Sequence, residues 1–275
     1  MPDTSYEFLS DFFEHFLPFT PTAKQVDTFR ADLSLVSPSL MKASLIEVRK
    51  GAQGKKVQYG CTEWRPAIFQ VYNRKVAEHA RLYPVFHSFE TAFRSTVAVG
   101  LETHYDHKRW WRKIYEELRK GHPANTVRQI GAVPVTSHAA QAIGQIINAI
   151  DGESFQRGLV GNFNNGFEFV ERCDLNDIYK LIDTHWHLFR PKLKSKGRLL
   201  SNTDFKAKFH NVREARNNVY HHKSVSEMRK VVEDAEELLD CLNFSLSFVC
   251  RKMSEARVPH LKFLISEDNV RHHTW

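Results

Sequence analysis

Residues 213 to 224 read REARNNVYHHKS, which gathers two arginines, two asparagines, a tyrosine and two histidines into twelve residues. On a helix Asn217 and His221 stand four apart and share a face, with Arg213 one turn earlier; Arg216 and Tyr220 share the neighbouring face. These groups suit RNA cleavage without a metal. A neutral histidine can take the proton of a ribose 2′-hydroxyl, whose oxygen then attacks the adjacent phosphorus, and an imidazolium can protonate the departing 5′-oxygen. Arg216 would pair with the non-bridging oxygens and stabilise the charge that builds in the transition state. Asn217 would orient His221 or bond the phosphate, and Tyr220 and His222 would stack on a base or assist proton transfer. Arg216 and His221 lie about 140° apart round an ideal helix. They meet on one atom only if the helix loosens near His221, or if the cleft is wide or shared between two subunits. A plainer role is also open, because Arg, Asn and His near a helix end can satisfy the last carbonyls and the helix dipole.

The formal charge of +7 over 275 residues is unevenly spread. Between 190 and 230, twelve Lys/Arg face three Asp/Glu, a balance of +9 that leaves −2 for the rest. A basic block beside the His/Asn cluster is the electrostatic footprint of a protein that meets a polyanion. Lys192, Lys194, Lys196, Arg198, Lys206 and Lys208 are the expected RNA contacts; the alternative is a solvated lysine-rich loop.

The elements that must position the cluster are helical. Ile68, Phe69, Tyr72, Val76 and Ala80 make one apolar stripe, which Pro84 is expected to break. Phe86, Phe89, Phe93, Val97 and Leu101 make the next, over about 85 to 104. DHKRWWRKIYEELRK and TSHAAQAIGQIINAID read as further helices, GLVGNFNNG as a turn, and DLNDIYKLIDTHWHLF as a helix on an Asp/Asn cap. A long final helix is predicted over 226 to 253 on the stripe Met228, Val231, Val232, Ala235, Leu238, Leu239, Leu242, Leu246 and Val249. Upstream, YEFLSDFFEHFLPF predicts a helix closed by Pro18 and Pro21, and a second helix follows over about 22 to 33. ASLIEVRKGAQGKKVQYGC predicts a β-hairpin turning at 52 to 55. The expectation is a mainly α fold. A bundle of four to five core helices occupies 64–253, with a small N-terminal appendage over 1–63 and a tail over 254–275.

Other chemistries find little footing. The four cysteines, Cys61, Cys173, Cys241 and Cys250, form no CxxC pair and read as buried small hydrophobes of a reduced, cytoplasmic protein. No apolar run approaches the ~20 residues of a membrane span. The first residues lack the basic start of a signal peptide. Fifteen histidines invite a metal, but there is no HExxH and no Cys/His ligand spacing, so neither a metal nor a cofactor is expected. Trp110 and Trp111 in KRWWRKIY read as packed rings with solvated charges around them.

EARNNVYHHKSV resembles the Arg-Asn-x-x-x-His signature of HEPN domains, here Arg216-Asn217-Asn218-Val219-Tyr220-His221. VFHSFETAFRSTV is similar to the helix of Abi-like HEPN proteins that carries a Glu and an Arg four apart, here Glu90 and Arg94. VVEDAEELLDCLNF falls where that fold closes its bundle. The resemblance covers roughly 66 to 253. It implies a helical bundle that forms a homodimer, with two motifs meeting in one cleft so that one protomer's Arg can serve the other's His. It also implies a metal-independent endoribonuclease of toxin–antitoxin or phage-defence systems, with a possible antitoxin or defence-system partner. Other members of the superfamily are silent modules that bind RNA or assemble with proteins. Glu90, Arg94, Arg213, Tyr220 and His222 would support the pocket; for Glu90 and Arg94 the alternative is an ordinary ion pair along one helix. One toxin subgroup carries a Tyr two residues after the His; Lys223 stands there in this chain, so that subgroup's regulation by tyrosine modification is not expected.

Overall fold

The computed structural model describes residues 20–53, 64–152, 158–195 and 197–246, and these are mainly helical. The chain divides into two units. Of the described residues the first unit holds 20–53, 64–83 and 215–227; the second holds 84–152, 158–195, 197–214 and 228–246.

In the first unit, α1 (Ala23–Leu33) starts at Thr22, whose side chain and that of Gln25 satisfy each other's backbone N–H in a capping box. Helix α2 (Pro38–Gln53) has Pro at its first position, where the missing N–H costs nothing. The next helix, α3, is Trp64–Tyr105, and its first half belongs here. Trp64, Ile68, Phe69 and Tyr72 share one core with Phe29, Leu33, Leu40, Met41 and Leu45. Each such buried side chain contributes roughly 2 kcal/mol. Arg65 clasps Asp32 with two bonds, Nε to Oδ2 at 2.7 Å and Nη2 to Oδ1 at 2.6 Å. The grouping therefore differs from the expected one: the boundary anticipated at 63/64 falls at the start of α3, but 64–83 pack with the N-terminal helices.

Three local expectations are corrected. The anticipated hairpin is helical as far as Gln53, because Leu40, Met41, Leu45 and Val48 recur at helical spacing and are buried; its remainder, like the helix expected near residue 6 to 19, lies outside the described residues. Pro84 sits inside α3 rather than ending it. Its ring removes a backbone bond at a cost of about 3 kcal/mol, which burial of Leu82 before it and Val85, Phe86 and Phe89 after it offsets. The helix predicted over 226 to 253 covers Met228–Cys241 and breaks there; 247–253 lie outside the described residues.

The second unit contains α4 (Arg112–Arg119), α5 (Ser137–Gly152), α6 (Gly166–Glu171), α7 (Leu175–Thr184) and α8 (Trp186–Phe189). It also holds most of α9 (Asn202–Tyr220) and all of α10 (Met228–Cys241). Two short antiparallel pairs interrupt the helices: β1 (Gln129–Ile130) with β2 (Val133–Pro134), and β3 (Lys194–Ser195) with β4 (Arg198–Leu199). Gly197, at φ +81°, supplies the left-handed residue that the tight β3–β4 turn requires. The predicted turn at GLVGNFNNG holds a 3₁₀ segment, Leu159–Asn162, before α6. Phe89 and Phe93 meet Phe209 at 5.1 and 5.2 Å between ring centres, and Phe205 lies 5.4 Å from Phe209. Trp110 and Trp111 are both buried against Phe169 at 5.0 Å each, Trp111 stacked on it and Trp110 edge to face.

The α9–α10 contact has a charged centre. Asp234, only 2% exposed, accepts from Asn211 Nδ2 at 2.7 Å, Lys230 Nζ at 2.9 Å and Lys208 Nζ at 3.1 Å. Burial works to raise its pKa, but Lys230, Asn211 and Lys208 together hold the carboxyl below its ordinary value. Helix α10 ends in a Schellman turn: Asn243, at φ +59°, donates to Asp240 O, and Phe244 donates to Leu239 O. Asparagine tolerates this left-handed position, so the predicted continuous helix is interrupted after Cys241.

Candidate functional site

Arg216, Asn217, Tyr220, His221 and His222 all belong to the first unit, on the last turn of α9 and just beyond it. His221 N–H still bonds Asn217 O at 3.0 Å, so the helical register runs through His221. The helix then closes in a second Schellman turn. His222 stands at φ +53° and donates to Val219 O at 3.0 Å, while Lys223 donates to Asn218 O at 2.7 Å. A histidine in the left-handed region costs on the order of 1 kcal/mol, and something must hold it there.

The N-terminus of α2 does so. Ser37 Oγ accepts from Leu40 N–H at 3.4 Å as the helix cap and donates to His222 O at 2.5 Å. Ser39 Oγ accepts from Ser224 N–H at 3.1 Å. Ser37 N–H in turn bonds the Tyr72 hydroxyl at 3.0 Å, and burial raises that phenol's pKa. One short Ser-Pro-Ser stretch therefore starts a helix and clamps the turn that follows Arg216 and His221. The Ser before Pro is an N-cap signature legible in the sequence.

Within this end of the helix, the Arg216 guanidinium lies 4.2 Å over the centre of the Tyr220 ring, and its Nη1 donates to Asn217 Oδ1 at 3.2 Å. The Asn217 amide is thus turned to Arg216. His221, His222 and Tyr220 are exposed. Because the register persists to His221, a single helix keeps Arg216 and His221 on diverging faces; the loosening that would have let them converge does not occur. Burial lowers the pKa of His79 on α3; Glu78 opposes this, while His222 and Lys75 push the same way as burial. The Tyr83 ring on α3 stands 5.3 Å from that of Tyr220, at 73°.

Glu90, Arg94 and Arg213 belong to the second unit, and there the arginines are engaged by protein acceptors. Arg94 Nη1 donates to the carbonyls of Val170 and Cys173, the latter at 2.6 Å, and so closes the C-terminal end of α6. Its Nη2 is 3.5 Å from Glu90 Oε2, in line with the plainer ion-pair alternative. Arg213 Nη1 bonds Asn176 Oδ1 at 2.5 Å, and its Nη2 reaches His210 Nδ1 at 2.9 Å.

The basic block is also sorted. Lys208, expected to contact RNA, instead binds Asp234 and Glu237 at 3.1 and 3.0 Å; the buried carboxylate claims it. Lys206 and Arg198 are exposed. Lys192 and Lys194 line a cavity of about 550 Å³ with Ser95, Thr96, Val99 and Asn243. Lys196 lies outside the described residues.

Among the described residues no group of three or more His, Cys, Asp or Glu is arranged to hold a metal ion. No described helix is long and apolar enough to cross a membrane. Cys173 and Cys241 are buried free thiols whose pKa burial raises, Cys241 to about 11. Cys61 and Cys250 lie outside the described residues. His185 is a structural residue: its Nδ1 donates to Leu181 O at 2.9 Å, leaving Nε2 to accept from the Tyr105 hydroxyl at 2.7 Å. Burial pushes this imidazole down to about 4, helped by His104 and His187 against the Leu181 carbonyl. Compared with protein-family models, curated proteins and solved structures, the chain finds no match in any of the three.

Proposed function

We propose that the chain is a metal-independent endoribonuclease of the HEPN type. His221 takes the 2′-hydroxyl proton, the 2′-oxygen bonds to phosphorus, and the P–O5′ bond breaks as the 5′-oxygen takes a proton from an imidazolium or from water, leaving a 2′,3′-cyclic phosphate and a 5′-hydroxyl. Arg216 neutralises charge on the non-bridging oxygens and Asn217 aligns Arg216. No cofactor enters the reaction.

The observation that carries this reading is the fixed end of α9. An exposed imidazole follows directly on the helix that bears Arg216, and the turn after it is clamped by Ser37 and Ser39. Catalytic groups gain from being held in this way. The divergence of Arg216 and His221 on one helix favours a cleft completed by a second copy, with Arg216 of one protomer serving His221 of the other. A cytoplasmic role in phage defence or a toxin–antitoxin pair rests on the resemblance of the motif alone.

A second reading is a module that binds RNA or a partner protein without cutting. It draws on the stacking of Arg216 on an exposed tyrosine, which can hold a base and a phosphate without any proton transfer. Cleavage of single-stranded RNA in EDTA decides between them, with end-group analysis for the 2′,3′-cyclic phosphate. Cleavage abolished in both His221→Ala and Arg216→Ala supports the nuclease. Salt-dependent binding without cleavage by folded wild type supports the module. Cleavage unchanged in both variants rejects this site.

A further inference from the structure

The Arg216–Tyr220 stack has a neighbour that no motif announces. Tyr83 lies on α3, 137 positions before Tyr220, yet their rings meet edge to face at 5.3 Å. Tyr83 is 38% exposed and Tyr220 44%. Large apolar side chains left this open are few among the described residues, and here two of them adjoin each other. Arg216 covers part of Tyr220, so the three groups form a cation–ring–ring step at the surface.

We infer that Tyr83 and Tyr220 form a stacking step for one unpaired nucleobase, which makes single-stranded RNA the substrate class of this site and Tyr83 its base-holding residue. This rests on the reading of the site as one that meets RNA. Two tyrosine rings at a steep angle leave an open face on which a base can lie, and Arg216 at the edge is in place for that nucleotide's phosphate. Stacking of this kind is tolerant of sequence, because every base has a flat π-face. A duplex keeps its bases paired and stacked and offers none to the step. Tyr83 therefore adds a preference for unpaired nucleotides that Arg216 and His221 alone would not give.

The test uses the full chain and a 2′-O-methyl oligoribonucleotide carrying one 2-aminopurine. The methyl group removes the attacking hydroxyl, so binding is read apart from cleavage. Wild type should quench the 2-aminopurine on binding. Tyr83→Ala and Tyr83→Leu should both weaken binding about ten-fold and lose the quench, while Tyr83→Phe keeps both. The leucine variant retains bulk against Tyr220, so loss of the quench at unchanged thermal stability marks stacking rather than folding. Absence of quenching by wild type, or full quenching by Tyr83→Leu, overturns the inference. RNA cleavage is scored separately: a wild type that quenches but does not cut keeps the stacking step and discards the nuclease. One that cuts, while Tyr83→Leu quenches fully, keeps the nuclease and discards the step.

Discussion

Arg94, Arg213 and His185 in the second unit do different work from Arg216 and His221 in the first. In the second, Arg94 closes the end of α6 through two carbonyls and Arg213 is held by Asn176 and His210. His185 there is 2% exposed, with a partner on each ring nitrogen. In the first unit Arg216 lies on an exposed ring and His221 is open to solvent. Residue type and helical spacing are alike in both places. What separates the two histidines is exposure: His185 is buried between its partners, whereas His221 faces solvent. A buried imidazole bonded at both nitrogens is part of the fold, whereas an exposed one beside a clamped turn can act on something else.

The largest effect should come from breaking the exposed member. His221→Ala should lower RNA cleavage by about 10²- to 10⁴-fold, the usual contribution of a general acid or base. Its melting temperature should stay within a degree or two, because an exposed side chain contributes little to stability. A large fall in melting temperature would place His221 with the structural residues and erase the contrast.

The buried histidine should respond to pH instead. His185 titrates at about 4 in the folded chain, against roughly 6.5 when unfolded. Its stabilising contribution is therefore complete above about pH 6.5 and is lost as pH falls towards 4, where the unfolded chain binds the extra proton. The full difference is about 3 kcal/mol. Thermal melts from pH 7 to 4.5 should show the decline, and His185→Gln should flatten it while lowering the plateau. An equal slope in the variant would assign the acid sensitivity to other groups.

Arg94→Ala comes next. It strips the carbonyls of Val170 and Cys173 of their charged donor, which should cost about 2 kcal/mol. Cleavage per folded molecule should not change. If cleavage falls while stability holds, Arg94 belongs with the pocket that the HEPN-like motif implies.

How much of this was readable in the sequence differs between the same two regions. Phe86, Phe89, Phe93 and Leu101 announce their helix, because burial of one face leaves a 3.6-residue period. The burial of Trp110 and Trp111 also follows from the apolar character of the rings. Pro84 misled because local chemistry argues for a break, and only burial on both sides of it outweighs the lost bond. Residues 43 to 53 misled because Gly51 and its neighbours resemble a turn, whereas the core contacts of Leu45 and Val48 are long-range. Arg216, Asn217 and His221 stood out by type. The fate of Arg94, Lys208 and Arg213 did not, since Val170, Asp234 and Asn176 are 76, 26 and 37 positions away from them. Pattern reading sees neighbours along a helix, and acceptors that arrive from another element are invisible to it.

Ser37 is the sharpest instance, and it gives the smallest effect. It lies 185 positions from His222 and serves both α2 and the turn beyond His221 with one hydroxyl. Ser37→Ala should cost about 1 kcal/mol through the lost cap, read as a modest fall in melting temperature. Ser37→Asp separates the two tasks, because a carboxylate caps a helix well but cannot donate to the His222 carbonyl at neutral pH. Its melting temperature should recover towards wild type while RNA cleavage stays several-fold low, as in Ser37→Ala. Should cleavage recover with the melting temperature, the serine would be only a helix cap. The turn that holds His221 would then need no help from α2, and the distinction between a fixed and a free imidazole would rest on the Schellman turn alone.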